Sequence, residues 1–313
     1  VTKAADLVDR ALTGQQRAVA QLISRVESGS PDLPEIAALL APHTGRAQVV
    51  GLTGSPGVGK STTTSALVTA FRRAGKRVGV LAIDPSSPFS GGALLGDRVR
   101  MGDHALDDGV FIRSMATRGH LGGLAWATPQ ALRVLDAAGC DVVLVETVGV
   151  GQSEVDVVSL ADTTLVLLAP GMGDGVQAAK AGILEIADVF VVNKADRDGA
   201  AQTVRDLRYM MSLGERRDAW RPPVCKTVAA RGEGIAEVVE AVAEHHAWLA
   251  ESGEGARRRR RRAAAEIEAI GLERVRERIG RVRGGAALDV LADEVVAGRS
   301  DPYAAAARLL ADL

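Results

Sequence analysis

Over the first forty residues, apolar side chains return every three or four positions, at Leu7, Ala11, Val19, Leu22, Ile23 and Val26, then at Ile36, Leu39 and Leu40 beyond Pro31 and Pro34. This spacing predicts two or three amphipathic helices. From Gln48 the rhythm changes to short runs rich in β-branched and aliphatic residues. These are Val49–Leu52, Val78–Ile83, Val110–Arg113, Val142–Val145, Thr164–Leu168, Val189–Val192 and Val224–Val228. Their apolar character is continuous rather than alternating, which suits strands covered on both faces. The longer segments between them predict crossover helices, hence an α/β fold with a mostly parallel central sheet. After Trp248 the pattern shifts again, to the Arg257–Arg262 run and an Ala-, Glu- and Arg-rich stretch. There Ile267, Ile270, Leu272, Val275 and Ile279 keep helical spacing, and Gly284–Gly285 and Gly298–Asp301 interrupt it. The expected organisation is a helical extension over 1–44, an α/β domain over 45–250 and a C-terminal helical arm over 251–313, with no fixed-period repeat.

Composition narrows the field of partners. The chain has 313 residues, 47% of them apolar, enough for a well-buried core. With 38 Lys and Arg against 39 Asp and Glu, no global charge draws it to nucleic acid or an acidic membrane. The arginine run is flanked by Glu251, Glu254, Glu266 and Glu268, so it reads as a solvated helical face rather than a nucleic-acid patch. Adjacent His245 and His246 also read as solvated helix residues. Cys140 and Cys225 lie far apart without metal-type spacing, which predicts buried thiols in a reducing compartment. No apolar run approaches the roughly 18 residues needed to span a bilayer, and residues 1–22 mix charges throughout; a cytoplasmic protein is expected.

The candidate chemistry sits at the ends of the expected strands. Gly54, Ser55, Pro56, Gly57, Val58, Gly59, Lys60 and Ser61 follow the first strand and lead through Thr62 into a helix. In that strand-loop-helix context glycines let backbone N–H groups converge on phosphate oxygens, and the helix N-terminus adds positive potential. Lys60 would reach the outer phosphates, and Ser61 would offer its hydroxyl to Mg²⁺. Glu146 closes the fourth strand and is followed by Gly149, where P-loop proteins carry an acid and then a γ-phosphate-sensing glycine. Mg²⁺ keeps several waters, so a Glu can act through its hydration shell. Asn193, Lys194 and Asp196 end the sixth strand. An Asp there can accept from both the ring N–H and the exocyclic amino group of guanine, donors that adenine lacks in that place. Ala229, Ala230 and Gly232, after the next strand, are placed to offer a backbone N–H to the guanine carbonyl. The loop from Asp84 to Asp97 is rich in Gly and Pro and starts at a strand's carboxyl end. Its two aspartates are candidates for Mg²⁺ ligation through water or for positioning the attacking water. Val150 stands close to where small GTPases carry a water-orienting Gln, so intrinsic hydrolysis should be slow unless Gln152 or a partner compensates. Arg98, Arg113 and Arg118 are candidates for transition-state charge.

Taken together, Gly54–Ser61, the Asp84–Met101 segment, the Glu146–Glu154 stretch, Asn193–Asp196 and the Asp301-Pro-Tyr ending resemble the MeaB/ArgK family, methylmalonyl-CoA mutase-associated GTPases of the metallocentre-assembly group. The resemblance covers nearly the whole chain, and Glu at 146 is itself the family pattern. It implies a P-loop GTPase using Mg²⁺ with GTP or GDP and holding no tightly bound cobalamin of its own. It further implies a chaperone that gates adenosylcobalamin loading and protects methylmalonyl-CoA mutase, or a related acyl-CoA mutase, which in turn accelerates GTP hydrolysis. By position, Lys60, Asp84, Asp97 and Glu146 match nucleotide and Mg²⁺-site residues. Ala169–Lys180 resembles a further switch loop in which Gln177 and Lys180 couple to the partner, and the C-terminal helices resemble a homodimerisation arm. Two rivals stand beside this reading: a nickel-inserting GTPase, which should carry His- and Cys-rich metal sites, and an NTPase or kinase linked to basic amino-acid transport, which Asn193–Asp196 opposes.

Overall fold

All seven apolar runs become strands of one sheet. The computed structural model describes residues 3–85, 102–104, 106–117, 123–147, 159–171, 186–212, 220–282 and 286–311. The strands are β1 (Gln48–Thr53), β2 (Val78–Pro85), β3 (Val110–Thr117), β4 (Val142–Thr147), β5 (Thr163–Leu168), β6 (Val189–Val192) and β7 (Val224–Lys226). They lie in the order β3-β2-β4-β1-β5-β6-β7, and every pairing is parallel. The described helices are α1 (Ala4–Leu12), α2 (Gln16–Ser28), α3 (Leu33–Leu40), α4 (Lys60–Arg73), α5 (Gly123–Ala137), α6 (Ala200–Ser212), α7 (Ile235–Glu251), α8 (Glu254–Val282), α9 (Ala286–Val296) and α10 (Pro302–Ala311). None of them is long and apolar enough to cross a membrane.

Alternation along the strands sorts the core into two layers. Val50, Leu52, Val80, Leu144, Leu165 and Val189 pack with Leu67 and Val68 of α4 and Val238 and Val242 of α7. Their neighbours Leu81, Ile83, Val143 and Val145 face the other way, onto Ala131, Val134 and Leu135 of α5 and onto Leu7, Leu22, Ile23 and Ile36 of α1–α3. The N-terminal helices therefore bury their stripe on the sheet's own core. Further along this face, Phe190 and Val192 meet Val204 and Leu207 of α6. Both cysteines are buried and free, and burial raises their thiols, Cys140 to about 12 and Cys225 to about 11. That makes them poor nucleophiles.

Three local expectations change. The last strand stops at Lys226, two residues early, because Val228 turns to form an antiparallel bridge with Glu233. His245 is not solvated: it is wholly buried, stacked on Trp248 and tilted against Trp220. Its Nδ1 lies 2.9 Å from Thr163 Oγ1 and its Nε2 3.2 Å from Asp188 Oδ1. The arginine run is also only partly a solvated face. Arg257 and Arg261 do pair locally with Glu254, at 2.7 and 2.6 Å. Arg258, however, forks onto Asp188 with two bonds of 3.0 Å, and Arg262 bonds Asp162 at 2.5 Å.

One compact unit ends at Arg262, and a second runs Ala263–Leu313. Within the second, Asp301 Oδ1 accepts the N–H groups of Tyr303 and Ala304 at 2.9 and 3.0 Å, and Pro302 follows it at the first helical position. This is an N-cap with a preorganised first residue, which explains the Asp301-Pro-Tyr sequence locally. On α8, Ile267, Leu272 and Val275 are exposed by 72%, 51% and 43%.

Candidate functional site

The carboxyl edge of a parallel sheet is where open α/β folds bind ligands. Here β1, at the sheet's centre, ends at Thr53, and the loop from Gly54 to Gly59 delivers Lys60 as the first residue of α4. Gly54 has φ +141°, and a Cβ there would lie 2.3 Å from the Leu167 carbonyl oxygen of β5. Gly59 has φ +99°, and a Cβ there would lie 2.4 Å from Asn193 Nδ2. The loop's backbone is therefore pressed against β5 at Gly54 and against the Asn193 side chain at Gly59. Lys60 is 8% exposed, and its ammonium folds over the loop, donating to the Gly54 carbonyl and, at 3.5 Å, to that of Ser55.

Glu146 sits on β4 in register with Leu52 of β1 and Ala82 of β2, and is 1% exposed. Its Oε1 accepts from Ser61 Oγ at 2.5 Å. A hydroxyl and a carboxylate thus meet just beyond the phosphate loop. Both are hard oxygen donors of the kind Mg²⁺ takes directly or through water. The donor set therefore fits the ion.

Asn193 joins three segments. Its Nδ2 donates to the Val58 carbonyl at 2.8 Å, while its Oδ1 accepts from Thr227 Oγ1 and from the Ala229 N–H, each at 3.1 Å. Lys194 takes the left-handed conformation, φ +55°, unusual for a non-glycine residue, and its Nζ donates to the Gly57 carbonyl at 2.6 Å. The following turn is stitched to β7 through the Ala195 N–H, which donates to the Thr227 carbonyl at 3.0 Å. Asp196 is exposed at the tip of this turn, and Arg231 Nη1 lies 3.3 Å from its Oδ2. The Ala229 N–H is given to Asn193, and Ala230 follows it in the 3-10 turn Ala229–Arg231. Gly232 closes that turn at φ +72°.

The sequence reading missed two features. Arg231 carries no motif signal. The segment past the Asp84–Asp97 loop is tied to α4, with His104 Nε2 3.2 Å from Ser65 Oγ and Arg72 forking onto Asp107 with two bonds of 2.8 Å. Hydrogen bonding to Arg72 holds the Asp107 carboxyl below its ordinary value, and both side chains are half-buried. Arg113 is committed to α2, donating to Glu27 and, at 2.9 Å, to Ser24, which removes it from the candidates for transition-state charge. Asp84 lies on β2 in register with Ala116. Asp97, Arg98, Arg118, Gly149, Val150, Gln152, Gln177 and Lys180 lie outside the described residues.

The family model described as methylmalonyl-CoA mutase-associated GTPase MeaB matches residues 19–283. The chain belongs to the MeaB family. Among MeaB relatives, PH0274 of Pyrococcus horikoshii, provisionally named a GTPase, is 52% identical over 268 residues, covering 85% of this chain and 84% of its own. GTPase ArgK of Escherichia coli is 38% identical over 258 residues, 80% of this chain and 78% of its own. The mouse protein named methylmalonic aciduria type A homolog, mitochondrial, is 38% identical over 277 residues, 80% of this chain and 66% of its own. The crystal structure of a LAO/AO transport system kinase matches with a TM-score of 0.71 and 26% identity over 100% of this chain and 98% of that one. This MeaB-family chain is thus a P-loop GTPase.

Proposed function

We propose that the chain is a slow, guanine-specific GTPase that acts as a chaperone in the cytoplasm. It gates adenosylcobalamin loading and protects methylmalonyl-CoA mutase or a related acyl-CoA mutase, which accelerates its hydrolysis. The observation that carries the chemical half is the bonding of Asn193 and Lys194 to the phosphate loop itself, at Val58 and Gly57. Phosphate and base recognition then belong to one preorganised surface. The client half rests on the family's description and on the name of the mouse relative.

In this reading Lys60 and the loop's N–H groups hold the phosphates, and Asp196 and the Ala230 N–H read the base. Ser61 and Glu146, with Asp84 and Asp97, would hold Mg²⁺ and its waters, and the bound ion would supply charge neutralisation for phosphoryl transfer. Gly149, Gln177 and Lys180 couple nucleotide state to the client. The exposed stripe of Ile267, Leu272 and Val275 supports burial against a second copy, hence a homodimer.

Glu146→Ala is expected to lower Mg²⁺-dependent hydrolysis by about 10- to 100-fold, the usual scale for a residue acting on a metal's outer shell, with GDP affinity changing far less. Single-turnover hydrolysis and GDP titration check this, and unchanged hydrolysis removes Glu146 from the role. For the client, adding a cobalamin-dependent acyl-CoA mutase should raise the GTPase rate several-fold or more. No stimulation by any such mutase leaves the chaperone reading without support. The solved relative named a transport kinase keeps an ATP-dependent alternative in view, and preference for ATP over GTP would favour it.

A further inference from the structure

Asp196 has a neighbour that the nucleotide reading does not use. Arg231 forks onto Glu233, Nε to Oε1 at 2.7 Å and Nη2 to Oε2 at 3.3 Å, and points its remaining nitrogen, Nη1, at Asp196 Oδ2, 3.3 Å away. Three charged side chains in a row on a surface are usually a loose association worth little. Here the backbones beneath them are fixed. Val228 and Glu233 form an antiparallel bridge, the Arg231 N–H donates to the Val228 carbonyl at 2.8 Å, and Gly232 turns the chain at φ +72°. A Cβ on Gly234 would lie 2.0 Å from the Lys226 carbonyl oxygen, so the turn is also pressed onto β7. On the other side, Ala195 and Asn193 bond the Asp196 turn to Thr227 and Ala229. Arginine and carboxylate therefore face each other from two loops sewn together.

We propose that Arg231, braced by Glu233, is a positioning residue for base specificity: its guanidinium fixes the rotation of the Asp196 carboxylate so that both oxygens meet guanine. This rests on the reading of Asp196 as the guanine-binding carboxylate. The arrangement is chemically compatible with a bound base. An ionised carboxylate offers about four lone-pair sites. Arg231 occupies one on Oδ2, and guanine's ring N–H and exocyclic amino group need two. Without the guanidinium the carboxylate can turn about its Cβ–Cγ bond, and a two-point contact loses more than a one-point contact from that freedom.

Inosine diphosphate lacks the exocyclic amino group, so it separates positioning from general loop damage. Affinities of the full chain for GDP, IDP and ADP are measured by calorimetry for wild type, Arg231→Met, Arg231→Lys and Glu233→Gln, with thermal midpoints as a folding control. Arg231→Met should weaken GDP roughly fivefold and IDP much less, the scale of one exposed charge-assisted contact, so the GDP:IDP preference shrinks. Glu233→Gln should do the same to a smaller degree, and Arg231→Lys, which keeps charge without the fork, should restore part of the preference. An unchanged GDP:IDP ratio in Arg231→Met overturns the proposal. Tighter GDP binding in that variant also overturns it, because the guanidinium would then compete with the base. A wild-type chain that binds ADP as well as GDP refutes the guanine reading itself, and with it the role of Arg231.

Discussion

Lys60→Ala is expected to abolish measurable GTP and GDP binding while leaving the chain folded. The ammonium is held at the phosphate loop by the Gly54 and Ser55 carbonyls, so the charge is preorganised by the same backbone that offers N–H groups to phosphate. A unit charge pair about 4 Å apart at a protein surface is worth ~4 kcal/mol, or roughly three decades in affinity, and the outer phosphates carry more than one charge. Little opposes that loss, because alanine leaves no positive group in its place. Stability should change little by comparison: the side chain joins none of the apolar clusters, and alanine favours the first turn of α4. Lys60→Arg keeps the charge but places a broad planar fork where a compact ammonium fits, so it should rescue only in part. Titration with a fluorescent GDP analogue, alongside circular dichroism, reads both effects. Binding within tenfold of wild type in a folded Lys60→Ala chain would sink the assignment.

The sheet was legible because its strands are buried on both faces and therefore written as continuous apolar runs, a signal that needs no knowledge of partners. The same holds for the N-terminal helices, whose stripe of Leu7, Leu22 and Ile23 anticipates their burial. The linear sequence hid pairings across distance. His245 beside His246 looks solvated until Thr163, Asp188, Trp220 and Trp248 are brought around it. Glu254 is visible as a local partner for the arginine run, and it does pair with Arg257 and Arg261. The partners of Arg258 and Arg262, by contrast, come from the starts of β6 and β5. At the site, glycine and charge spacing pointed to the loops around Gly54 and Asn193. Arg231 matches no pattern, and its position depends on a turn that begins at Val228, the residue expected to end the last strand.

Those hidden pairings define the largest expected stability effect, at Asp188. This carboxylate is 5% exposed at the start of β6, at the opposite end of that strand from Asn193. It accepts the Thr164 N–H at 2.9 Å and the fork of Arg258, with His245 Nε2 at 3.2 Å. Truncation to Ala would strand a partly buried guanidinium and a fully buried imidazole, a loss of about 3–5 kcal/mol. Asp188→Asn keeps the shape and removes the charge, so it should cost somewhat less. Burial alone raises the Asp188 carboxyl, but the adjacent His245 and the hydrogen-bonded Arg258 outweigh it and hold the group below its ordinary value. A carboxylate lowered on folding contributes stability that is complete above the unfolded value, near 3.9, and is lost as pH falls through the folded one. Urea unfolding of wild type and Asp188→Asn should therefore show a wide gap at pH 6 that narrows toward pH 3, while nucleotide affinity of the folded variant stays unchanged. A gap below about 1 kcal/mol at pH 6, the scale of an exposed pair, or one that does not move with pH, would show the cluster to be no more than a surface ion pair.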